Sequence, residues 1–167
     1  MEIRVNEATV GLRQRSAALK ASQDFLDRVL NAVTDPIFVK DRQHRWTMIN
    51  DAFCQAIGYP REELIGKSDY DFSPKAEADV LWEYDNRVFT TGIEYENEEA
   101  FTDASGTLRT ISTKKIAFAD ASGNQALVGI IRDITERKRT EEALQQMAER
   151  EKAISRVIQQ MRCNVAA

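Results

Sequence analysis

The sequence predicts an α+β fold, a five-stranded antiparallel sheet with short helices on one face and a long helix at either end. Three observations predict it. Two β-type runs precede a block of short helical segments and three follow it, an order that closes into one sheet with the helices gathered on one side. The tetrapeptide Asp-Ala-Ser-Gly occurs twice, between consecutive runs of the second group, and supplies two hairpin turns. Gly or Pro punctuates each of the intervening helices.

The chain has 167 residues and divides into a flanking helix over 1–34, a core over 35–134 and a second flanking helix over 135–167. In the first helix Val5, Leu12, Leu19, Leu26 and Val33 recur every seven residues and put one face on a partner. The companion register, Ala8, Arg15, Ser22 and Val29, is mostly not apolar, so the helix suits docking better than an isolated coiled coil. Asp35-Pro36 stops it, because a residue before proline avoids helical geometry. PIFVKD and RWTMIN follow as strands joined by a turn at RQH, with Met48 and Ile49 on opposite faces. DAFCQAIG is a short helix closed by Gly58, and PREELIG a second one closed by Gly66. After an irregular turn at SDYDF, Ser73-Pro74 forms the N-cap and first position of a helix that runs to Gly92. Leu81, Trp82, Val88 and Phe89 share one face of it.

The final strand, NQALVGIIRD, passes into helix with neither Gly nor Pro between them. Asp133 and Glu136 stand at capping-box spacing, and Thr135 is a second cap candidate. Downstream, Thr140, Leu144, Met147, Glu151, Ile154, Ile158, Met161 and Val165 step by four and three into a heptad seam. Glu151 interrupts that seam and Thr140 is a poor core residue, so the register can shift at little cost. A stiff strand-to-helix joint turns distortion of the sheet into rotation of paired helices; a passive dimer spacer is the plainer alternative.

Composition narrows the function. Net charge is −4, and the centre (residues 25–134, 12 basic against 19 acidic) is the acidic part, which argues against nucleic acid. No apolar run spans a membrane and no signal-peptide core is present. Cys54 and Cys163 follow no disulfide or metal spacing, which points to a reducing cytoplasm.

Together DPIFVKD, INDAFCQAIGYPREELIGKSDYDF, the DASG turns and GIIRDITERKRTEEAL resemble the PAS domain, a sensory and interaction module, over roughly residues 23–142. The resemblance implies the PAS fold, whose concave sheet face holds a ligand or cofactor. It further implies a homodimer through the flanking helices (Leu12, Leu19 and Leu26; Leu144, Met147, Ile154, Ile158 and Met161). A signal would pass through Asp133, Ile134, Thr135 and Glu136 to a downstream effector in cis, a histidine kinase or a nucleotide cyclase. The terminal helix is then the linker to a missing domain, in a fragment of a larger protein. No ligand is identified.

Phe38, Ile49, Phe53, Trp82 and Phe89 either line a pocket or fill a core, and burial of such large apolar groups suffices to place them. His44, the only histidine, lies in a turn and reads as solvated; residues 74–92 hold no histidine to ligate haem. Cys54 reads as a small core hydrophobe, and GKSDYDF has no cysteine where flavin-binding relatives carry one, which argues against covalent flavin chemistry. Asp69, Tyr70 and Asp71 read as turn and cap chemistry rather than a metal or acid–base site. Glu94, Glu96, Glu98 and Glu99 read as a solvated face partly offset by Lys114 and Lys115. The segment shows no phosphoacceptor histidine helix, nucleotide lid or paired-metal motif, so it is read as non-catalytic. A ligand-free assembly module is the second functional reading.

Overall fold

The computed structural model describes residues 2–102, 105–119 and 122–165, with side chains described for 10–161 of these. Val5, Val165, Cys163 and the Asp and Ala of both DASG turns lie outside what is described in side-chain detail. The elements run α1 (Glu2–Ala32), β1 (Ile37–Asp41), β2 (Trp46–Ile49), α2 (Asp51–Ile57), α3 (Arg61–Leu64), a 3₁₀ turn (Asp69–Asp71), α4 (Lys75–Thr91), β3 (Tyr95–Thr102), β4 (Leu108–Ala119), β5 (Gln125–Asp133) and α5 (Thr135–Val165).

The five strands form one antiparallel sheet in the order β2-β1-β5-β4-β3, so the first and last strands of the chain meet in its centre. Its register places Ile49, Phe38, Gly129, Lys115 and Tyr95 in one row across all five strands. That row faces the helices. The core gathers Phe38, Trp46, Ile49, Phe53, Leu64, Val88, Phe89 and Leu127 against it. Met48 stands half-exposed on the other side while Ile49 is buried, the alternation a strand dictates.

Local chemistry explains most boundaries. Gly58 and Gly92 take left-handed φ of 86° and 65° and close α2 and α4. Asn50 caps α2 through Phe53 N–H and also accepts the Ile37 N–H. Its amide nitrogen donates to the carbonyls of Leu30, Val33 and Asp35, so one buried side chain ties the end of α1 to β1 and α2.

Two expected boundaries move. Ser73 does not cap α4, whose N-cap position is Pro74 in extended geometry without a side-chain bond. The Ser73 N–H is drawn back to the Asp69 carbonyl at 2.9 Å and closes the 3₁₀ turn instead. Helix α3 ends at Leu64 rather than at Gly66. Gly66, at φ 81°, donates to the Trp46 carbonyl, and Trp46 N–H donates to Lys67, so this segment hydrogen-bonds with β2.

Candidate functional site

The concave side of the sheet carries charge. Lys40 of β1 and Lys115 of β4 point inward, and each is almost completely buried. Asp85, fully buried on α4, receives Lys115 at Oδ1 (2.6 Å) and Lys40 at Oδ2 (2.8 Å). Lys40 also reaches Asp69 of the 3₁₀ turn at 2.5 Å. Two lysines and two carboxylates thus balance one another inside the fold, as buried charges must. Burial alone would raise the Asp85 carboxyl. The hydrogen bond from His44 and the charges of Lys40 and Lys115 outweigh it and hold the group far below the usual carboxylate range.

His44 joins this cluster, against the expectation of a solvated turn. It is 3% exposed, with Nδ1 3.3 Å from Asp85 Oδ2 and Nε2 3.0 Å from Asn86 Oδ1. The cause is local. Asp41 accepts the N–H groups of Gln43 and Arg45 and the Arg45 guanidinium, winding the turn tightly, and His44 adopts φ 60°. Its ring then lies on Trp82, centroids 4.0 Å apart and nearly parallel, with its edge toward Phe89.

Lys115 also departs from its expected place. It does not offset the β3 glutamates, because its strand parity turns it into the interior; Lys114 alone turns outward and pairs with Glu94 at 3.0 Å. The Asp69–Asp71 segment divides its roles. Asp71 and Ser68 form the expected cap, Tyr70 donates to Asp79, and Asp69 is buried on Lys40. Cys54 is half-buried against the core, and burial pushes its thiol up.

The candidate lining residues do meet. Phe38, Ile49, Phe53 and Phe89 pack in the core, and Trp82 covers His44. A Cβ on Gly129 would lie 2.0 Å from Phe38 Cζ, so the Phe38 ring occupies the centre of the inner sheet face. Among the described residues, the indole N–H groups of Trp46 and Trp82 are buried without a hydrogen-bond partner. No group of three His, Cys, Asp or Glu is placed to hold a metal, again among the described residues. No described helix is long and apolar enough to cross a membrane.

The strand-to-helix joint is closely bonded. Asp133 Oδ1 accepts the Thr135 N–H at 2.9 Å and Oδ2 takes Arg109 at 2.7 Å, and these partners lower its carboxyl pKa. Thr135 turns its hydroxyl to the sheet instead of capping: it accepts the Thr110 N–H at 2.9 Å and donates to the Thr110 carbonyl. Ile134 is buried, and its N–H also donates to Thr110. Glu136 is exposed in the first turn of α5. Arg137 and Lys138 of that turn clasp Glu98 of β3 at 3.2 and 2.5 Å. Beyond the joints both arms expose their apolar residues, Leu12 at 68% and Met147 at 67%, with Leu19, Leu26, Leu144, Ile154, Ile158 and Met161 close behind.

Residues 30–139 match a family described as PAS fold. The uncharacterized protein y4lL of Sinorhizobium fredii is 38% identical over 135 residues, covering 79% of this chain and 16% of that protein. The aerobic respiration control sensor protein ArcB of Escherichia coli is 30% identical over 123 residues, covering 72% of this chain and 16% of ArcB. The chain therefore spans about a sixth of the length of these relatives. The solved PAS domain of Bordetella pertussis BvgS superposes with a TM-score of 0.60 at 23% identity, covering 77% of this chain and 98% of that one.

Proposed function

The chain belongs to the PAS family, and from that premise we propose that it is a sensory and dimerisation module which relays a signal through α5 to an effector domain. One observation carries the reading. Strand β5 enters α5 without a flexible residue, and Thr135 bonds the first turn of that helix to β4. Movement between the central strands then reaches the helix as movement of its base. In this reading two copies pair along the exposed stripes of α1 and α5 in the cytoplasm. The segment itself performs no catalysis, and the effector in cis is a histidine kinase or a nucleotide cyclase.

The second reading, an assembly module without a bound molecule, is favoured by the filled inner face around Phe38 and Gly129. Native mass spectrometry of the purified chain separates the two. Sensing by a retained molecule predicts a dimer carrying extra mass, and assembly predicts a bare dimer. A monomer at micromolar concentration would contradict both. The relay is tested by Asp133→Ala in the parent protein, where effector output should change while the module stays folded. Unaltered regulation would remove the relay.

A further inference from the structure

We propose that His44 is a proton-binding site whose occupancy redistributes the ion pairs buried under the sheet. This goes beyond the functional reading above by naming a signal, and the coupling of that signal to α5 rests on that reading.

The inner face is occupied by the Phe38 ring over Gly129, and Lys40, Ile49, Leu64, Leu127 and Val88 are fully buried around it. A proton is a ligand that needs no cavity. It needs a basic atom with a path to water and neighbours that accept the ring in either state.

His44 has these. Its Nδ1 faces the ionised Asp85, so that nitrogen carries a hydrogen in both states. Its Nε2 faces the amide of Asn86, an exposed residue. A neutral ring accepts from Asn86 Nδ2, and a protonated ring donates to Asn86 Oδ1; the two differ by a half-turn of the amide. The solvent-facing amide is thus the natural port for the proton. Beneath the ring, the indole face of Trp82 at 4.0 Å attracts a cation.

The neighbours set the consequence. On α4, Asp85 and Asn86 face the ring. From β1 Lys40 shares Asp85 Oδ2 with it, and from β4 Lys115 holds Oδ1. From the 3₁₀ turn Asp69 acts through Lys40, and Tyr70 packs on Trp82. Within its own turn Arg42 lies over Phe89, while Asp41 and Arg45 are paired with each other. With a neutral ring the two lysines and two aspartates cancel. Protonation adds one uncompensated positive charge and sets His44 against Lys40 at the same oxygen. Lys40 is thereby driven toward Asp69. Because Lys40 and Lys115 lie on the two strands that flank β5, the redistribution falls on the strand that leads into α5.

The sequence contains one histidine, so a single imidazole Cε1–H resonance reports the site. In the 167-residue chain that resonance should shift with pH as the ring takes up the proton. Tryptophan emission should fall with the same midpoint as Trp82 meets an imidazolium. Substitution at exposed Asn86 tests the port without emptying the core. Asn86→Asp should move the midpoint up by about one pH unit, and Asn86→Leu should move it down. A resonance that does not titrate overturns the proposal. So does a midpoint indifferent to both Asn86 variants, or a titration that leaves tryptophan emission unchanged. If His44 titrates as expected but the amides of 133–140 do not respond, the proton site stands and the relay through α5 fails.

Discussion

Asp85 is the residue on which the interior balances. One carboxylate serves Lys40, Lys115 and His44, and each of these is buried with it. Asp85→Asn keeps the shape but leaves Lys115 buried opposite a neutral amide and Lys40 with Asp69 alone. It should cost about 3–5 kcal/mol in urea unfolding, the usual result of removing one partner of a buried pair. The wild-type group also sets an acid limit. Its carboxyl is depressed in the folded chain, so the unfolded chain takes up the proton first. The stability it contributes is complete above about pH 4 and is lost as pH falls through the lower folded value. A steep loss of stability below about pH 4 that is absent from Asp85→Asn would show this; the same acid limb in that variant would not. Gly129→Ala tests the opposite fault. Its new methyl would overlap the Phe38 ring, and overpacking should cost about 1–3 kcal/mol. Little of this cluster was legible beforehand. Lys115 and His44 are charged or polar by composition, and only strand parity and the left-handed turn reveal that they face inward. The aromatic residues, apolar by nature, were legible as core from their spacing.

Among the elements, capped helices and paired strands were legible because their signals are local. Asn50, Gly58, Gly92 and the Asp133 cap act within a few residues of themselves. The bond from Thr135 to Thr110 spans 25 positions and leaves no local trace. Thr135→Val preserves the bulk but deprives the Thr110 N–H of its acceptor. It should destabilise the module by about 1–3 kcal/mol and uncouple the first turn of α5 from β4. The measurement is the amide spectrum of α5: broadened or shifted signals confined to its first turns are expected, with β1 and β2 unaltered. The clasp of Glu98 by Arg137 and Lys138 is exposed and screened by solvent, so it adds little to stability. Its contribution is to orientation.

As a whole the molecule is a closed core with two open arms. The arms present apolar side chains that have no cover among the described residues. Replacing Leu19 and Ile154 with Glu should shift a dimer toward monomer in sedimentation without altering the circular-dichroism spectrum of the core. If signalling follows, reversing the population from 1:99 to 99:1 requires about 5.5 kcal/mol of state-dependent interaction. A single buried charge can supply much of that only because the interior screens it poorly. The amide of Asn50 has a further result. Because it holds three carbonyls at the end of α1 together with the N–H groups of Ile37 and Phe53, the arm cannot fray at its root while the core persists. Deuterium uptake at Ile37 and Phe53 should therefore proceed only through global opening, as slowly as at the central strands.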